Sequence, residues 1–187
     1  MQYAFRTRPK RGENVCGDAV GVFGNDARRL FAVSDGLGHG PEAHHASTLA
    51  MAYLESHWEE DLDQMVWGCH AHVRSTRGLA LFLARLSDGP ERSGECAGIG
   101  NVECRTVSES KIAPFCRDGI VGHSVRKVTS FQFEHAPGDT FAIFSDGIQS
   151  RFDLSAVAGL EPDAAAEAVI QQWSRDYDDA TILVIRT

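Results

Sequence analysis

The sequence has 187 residues, 43% hydrophobic and 24% charged, which suits one globular domain and excludes a disordered or fibrous chain. Its formal net charge of -8 and the lack of a Lys/Arg-rich stripe exclude a nucleic-acid partner. No run approaches the ~18–20 apolar residues of a bilayer span, and no apolar stretch follows the early basic residues, so no membrane segment or secretory signal is expected.

Five cysteines (Cys16, Cys69, Cys96, Cys104, Cys116) form an odd set without a CxxC pair. A disulfide framework or a zinc site is therefore not expected, and a reducing cytoplasm fits. Each cysteine reads as a small buried apolar residue. The one basic run, Arg6-Thr-Arg8-Pro-Lys10-Arg11, reads as a solvated edge, with docking of an acidic or phosphorylated partner as the alternative.

Residues 18–23 and 29–34 read as two strands joined by turn residues Gly24-Asn25-Asp26. The second strand runs into Asp35-Gly36-Leu37-Gly38-His39-Gly40, a tight loop that exposes backbone. Pro41 suits the first turn of a helix over 41–58, with Ala46, Leu49, Ala50, Tyr53 and Leu54 at helical spacing. A second helix is expected over 61–75, ending before Gly78. Leu79–Leu86 reads as a buried strand, bracketed by Gly78 and Ser87-Asp88-Gly89-Pro90. Further strands are expected at 93–107, split by Gly98-Ile99-Gly100, and at 110–116, 125–135 and 139–145. Residues 153–158 and 162–175 read as helical, and 180–186 as a final strand. Alternating βαβ is absent, so the fold class is α+β: two antiparallel sheets flanked by helix pairs, in a single domain over 1–187.

Four acidic positions share one context. Asp18, Asp35, Asp146 and the pair Asp178-Asp179 each sit at the edge of an apolar strand. Phe31-Ala-Val-Ser-Asp35-Gly36 and Phe141-Ala-Ile-Phe-Ser-Asp146-Gly147 echo each other. One Asp-Gly after a strand is ordinary turn chemistry. If all four strand ends met, however, the carboxylates would repel unless cations joined them. An all-oxygen cluster selects Mg²⁺ or Mn²⁺ over zinc. Two such ions can polarise a phosphoryl group and activate a water. The residues alone thus leave two readings: ordinary turns, or a two-metal hydrolase.

At these residues the chain resembles the PPM superfamily of metal-dependent protein phosphatases, and within it the SpoIIE-type branch and its short RsbX-like members. The resemblance rests on Cys16-Gly17-Asp18, Ser34-Asp35-Gly36-Leu37-Gly38-His39-Gly40, Thr76-Arg77-Gly78, Gly98-Ile99-Gly100-Asn101-Val102, Gly119-Ile-Val-Gly122, Phe144-Ser145-Asp146-Gly147-Ile148 and Asp178-Asp179-Ala-Thr181, in the family's order. It implies an antiparallel β-sandwich flanked by helix pairs. It implies serine/threonine phosphatase activity with two Mn²⁺ or Mg²⁺ ions, a third being left open. By resemblance Asp35 bridges both ions, the Gly36 carbonyl holds one, and Asp18, Asp146 and Asp178 complete the set. Asp179 is the neighbouring alternative to Asp178. His39 is a candidate proton donor to the leaving group, since an imidazole suits proton transfer near neutral pH. Arg6 is a candidate phosphate grip only by its place in the first strand.

The short chain leaves no room for a large flap, which implies recognition of a folded protein surface. The implied partner is a phosphorylated STAS-domain or stressosome protein in a cytoplasmic stress response, with the enzyme a monomer or weak dimer. A non-catalytic phosphatase-like binding module is the alternative, and a two-metal hydrolase acting on small phosphoesters or nucleic acid a third reading.

Overall fold

The computed structural model describes residues 1–89 and 91–187. Its strands are β1 (Gln2–Arg8), β2 (Asp18–Gly24), β3 (Arg28–Gly36), β4 (Leu79–Ser87), β5 (Ser93–Ile99), β6 (Glu103–Val107), β7 (Gly119–Ile120), β8 (Ser124–Val125), β9 (Phe131–Glu134), β10 (Thr140–Phe144) and β11 (Ala180–Arg186). Its helices are α1 (Pro41–His57), α2 (Leu62–His72) and α3 (Pro162–Trp173). Two antiparallel sheets carry the fold, in the orders β1-β11-β10-β6 and β2-β3-β4-β5-β9.

The period of two along each strand divides its side chains between layers. Phe31, Val33, Phe82 and Ala84 meet Phe141, Ile143, Leu183 and Ile185 between the sheets. The alternate residues Leu30, Ala32, Leu79, Leu81 and Leu83 face α1 and α2. On the outer face of the other sheet, Ala142, Phe144, Ile182 and Val184 pack on Ala165, Ala166 and Val169 of α3. The result is the expected helix–sheet–sheet–helix sandwich. Its second helical layer is α3 with only a short 3-10 turn, Leu154–Ala156, where residues 153–158 read as helical.

Two strand expectations are corrected. Residues 110–116 form no strand. Ile112 is buried in the sandwich core, but Pro114 has no N–H for a ladder, and the segment is pinned by Arg117 N–H to the Gly98 carbonyl at 2.8 Å. Residues 125–135 are strand only at their two ends, in β8 and β9. The split at Gly98–Gly100 is where the chain leaves one sheet for the other, with Gly100 at φ 97°. Pro90, included in the turn after β4, lies outside the described residues.

Arg85 ties the α1–α2 corner to this frame. It is 2% exposed, and its NH1 donates to Glu95 Oε1 at 2.7 Å. Its NH2 donates to the carbonyl of Trp58 at 2.6 Å and also to that of Glu60. Replacing it removes the donor from three half-buried acceptors, of which Glu95 keeps Arg28, so Arg85→Met should cost about 2–3 kcal/mol in urea unfolding. A loss below about 1 kcal/mol would mean that the corner holds without it.

Candidate active site

The antiparallel register brings the acidic strand ends together. Asp18 opens β2 and stands opposite Asp35, near the end of β3. Asp146 lies two residues beyond β10, and Asp178 and Asp179 immediately precede β11. The two sheets are joined here by Ser145, whose Oγ donates to Asp18 Oδ2 at 2.6 Å and accepts from the Thr181 N–H at 3.0 Å.

The glycines beside the aspartates are there for close approach. A Cβ on Gly36 would lie 2.3 Å from the Ala43 carbonyl oxygen. One on Gly147 would lie 1.8 Å from the Asp179 carbonyl oxygen. Any side chain at either position would push an acidic strand end away.

A cavity of about 300 Å³ opens at this end of the sandwich, lined by Lys10, Asp35, Leu37, Gly38, His39, Asn101, Asp146, Tyr177 and Asp178. Asp146 is exposed and accepts from Asn101 Nδ2 at 2.6 Å. Asp18 is buried behind the cavity wall, at 4% exposure. Gly36 is likewise buried and absent from the wall. A larger cavity of about 630 Å³ lies at the other end of β4 and β5. Its two arginines, Arg85 and Arg28, are both paired with Glu95, so it offers less to an anionic ligand.

Asp178 and Asp179 are placed differently. Asp178 lines the cavity. Asp179 turns inward, its Oδ1 accepting from the Lys10 N–H at 2.8 Å and its Oδ2 from the Gly17 N–H at 2.9 Å. Both its oxygens thus fix the β1–β2 connection, which carries Lys10 to the cavity and Asp18 to its ladder position.

Among the described residues no three His, Cys, Asp or Glu side chains close into a ready ion cage. What unites the carboxylates is a shared potential. Burial first, then the charges of Asp18, Asp146, Asp178 and Asp179, push the Asp35 carboxyl far above the usual carboxylate range. Burial raises Asp18 too, by more than its Ser145 hydrogen bond lowers it. Burial and Asp146 raise Asp178. Asp18 Oδ1 is buried with no hydrogen-bond partner among the described residues. A hard oxygen donor set, crowded with unneutralised charge and holding an orphaned oxygen, fits divalent cations.

His39 lines the cavity, and its Nδ1 lies 2.6 Å from Glu13 Oε1. A carboxylate only accepts, so Nδ1–H donates and Nε2 is left for proton exchange. Arg6 is engaged elsewhere, with Asp163 at 2.9 Å and Glu167 at 2.8 Å on α3. Lys10 and Tyr177 had no assigned role in the sequence. Loops deliver them from distant positions, and only the basic character of the Lys10 run hinted at an acidic ligand.

No protein-family profile matches the chain. It is 24% identical over 141 residues to the phosphoserine phosphatase RsbX of Bacillus subtilis (strain 168), covering 74% of this chain and 70% of that one. A structure from work on the bacterial stressosome, as a modular system adapted to control secondary messenger signalling, superposes with a TM-score of 0.94 at 31% identity, covering 99% and 98% of the two chains. The chain belongs to the PPM phosphatases as an RsbX-like member. RsbX in complex with magnesium aligns with a TM-score of 0.87 at 21% identity, over 97% of this chain and 92% of that one. The RsbX-like fold and the protein serine/threonine phosphatase class therefore stand together. Among the described residues no helix is long and apolar enough to cross a membrane.

Proposed function

We propose that this RsbX-like phosphatase removes phosphate from serine or threonine of a regulatory protein of the STAS-domain or stressosome type, using two Mn²⁺ or Mg²⁺ ions, in the cytoplasm. The observation that carries the reading is Asp35, a largely buried carboxylate beside the cavity and under the charge of four other aspartates. Asp35, Asp146 and Asp178 would hold the ions from the cavity wall, with Asp18 behind them and the Gly36 carbonyl nearby. When bound, the cations would neutralise this cluster, polarise the phosphoryl oxygens and activate a water. A phosphatase of the same fold, PstP, has been crystallised with two manganese ions. The stressosome work on the similar chain and the activity of RsbX support the choice of substrate.

The chain's own groups do the rest. Lys10 adds positive charge where a phosphate dianion would enter the cavity. Asn101 orients Asp146. Glu13 holds the His39 ring and favours its imidazolium form, in which Nε2–H can give its proton to the departing serine oxygen.

This role of His39 predicts a dependence on the leaving group. A nitrophenolate leaves without a proton, whereas a serine alkoxide needs one. His39→Ala should therefore slow phosphoserine hydrolysis by about 10²-fold while leaving para-nitrophenyl phosphate hydrolysis nearly unchanged. Equal losses on both substrates would reduce His39 to a shaper of the loop.

The reading itself is tested with purified phosphorylated STAS-domain and stressosome proteins, incubated with the enzyme in Mn²⁺, Mg²⁺ or EDTA. Metal-dependent release of phosphate from one of them is expected. Turnover of nitrophenyl phosphate with none of these proteins dephosphorylated would reject the substrate class.

A further inference from the structure

A second groove, of about 530 Å³, adjoins the catalytic cavity and is lined by Gln149, Ser150, Arg151, Arg175 and Tyr177. Tyr177 belongs to both walls and is 67% exposed, so the two spaces adjoin across its ring. Two arginines line the groove and no carboxylate does. The nearby Asp176 is held by Arg8 at 3.0 Å.

The wall is preorganised. Arg175 NH1 donates to the Asp146 carbonyl at 2.8 Å, and the Arg175 N–H to the Gly147 carbonyl at 2.8 Å. The Arg175 guanidinium lies 5.9 Å from the centre of the Tyr177 ring. The Ser150 carbonyl accepts from Arg105, and Phe152, buried beneath, anchors the loop. Arg151 is exposed.

A third groove, of about 340 Å³, shares Asn101 with the catalytic cavity and differs: its lining includes Glu103, Arg105 and Phe115. There Arg105 pairs with Glu103 at 2.9 Å, and the charges cancel.

We infer that the Arg151–Arg175 groove selects acidic residues on one side of the phosphorylated serine or threonine. The occupant is an Asp/Glu-bearing segment of the phosphoprotein substrate. Charge complementarity and the Tyr177 wall shared with the cavity argue for it, against an overall net charge of -8 that would otherwise repel such a segment. Arg151 lies five positions along the chain from Asp146, at most about 17 Å at ~3.5 Å per residue. An acidic side chain within about five positions of the phosphoresidue can reach Arg151. The inference rests on the phosphatase site proposed above.

The test uses short phosphoserine peptides with acidic residues on the N-terminal side, on the C-terminal side, or absent. Wild type and Arg151→Glu are compared in Mn²⁺, with para-nitrophenyl phosphate as the reference. One of the acidic peptides, and not the other, should exceed the neutral one by about fivefold in kcat/KM, as one or two exposed ion pairs allow. High salt should remove the difference. Arg151→Glu should abolish the preference and favour a basic flank, with nitrophenyl phosphate turnover unchanged, an outcome that mere loosening of the loop would not give. Nitrophenyl phosphate turnover without discrimination among the peptides, or without turnover of any, overturns the inference and spares the catalytic site. If nitrophenyl phosphate is not hydrolysed with any metal, the catalytic reading fails instead. The groove is then read by fluorescence anisotropy of labelled peptides, where the same one-sided preference and its reversal are expected and their absence overturns it.

Discussion

Asp35→Asn should lower metal-dependent turnover of para-nitrophenyl phosphate by about 10³-fold and, in EDTA, raise the melting temperature. Both effects come from one carboxylate. With cations bound, Asp35 is the charge proposed to bridge them, and loss of roughly 4 kcal/mol of transition-state stabilisation gives a factor of about 10³. Without cations, folding must either bury this charge among Asp18, Asp146, Asp178 and Asp179 or take up a proton to neutralise it, and an amide of equal size is spared that cost. A merely structural Asp35 would behave oppositely, losing stability in EDTA and activity only in proportion to unfolding. Circular dichroism melts beside the assay separate the two.

Divalent cation should stabilise the wild type strongly, and more at alkaline than at mildly acidic pH. A ligand at a hundred times its Kd adds about 2.7 kcal/mol, which for a chain of this size is roughly 5–10 °C. The pH dependence follows from Asp18 and Asp35, whose folded-state carboxyls are raised above their unfolded value. The folded, metal-free protein therefore holds these protons more tightly than the unfolded chain. The resulting stability is fully present below the unfolded carboxylate pKa near ~3.9 and is lost as pH rises through the folded values. In EDTA, other groups equal, melting should fall from mildly acidic towards alkaline pH. Mn²⁺ should reverse that slope, because the cation replaces the protons and competes best once they have left. An equal Mn²⁺ increment at both pH values would detach the cations from these two carboxylates.

The acidic residues were legible in the sequence because chemistry and fold leave the same mark there. An aspartate at a strand end beside glycine is a local pattern, and two such echoes in one chain are hard to assign to turns alone. The sandwich was legible through alternation, as in Leu79–Ser87, where odd positions face helices and even ones face the second sheet. The segment 110–116 misled because apolar residues mark burial, not pairing. Ile112 plugs the core from a loop. The doublet Asp178-Asp179 could not be divided by sequence, since the difference lies in two backbone N–H groups more than 160 residues away, at Lys10 and Gly17. Lys10, Tyr177 and the Arg151–Arg175 groove were out of reach for the same reason. Their meeting depends on loop paths that no local pattern encodes.

The central claim is that Asp35, Asp146 and Asp178, backed by Asp18, bind a pair of cations. Diffraction from crystals grown in Mn²⁺, collected at the manganese absorption edge, tests it most directly. The account predicts two anomalous peaks about 3.5–4 Å apart in the cavity, with Asp35 between them. A single peak bound away from Asp35, or none in this cavity, would contradict it.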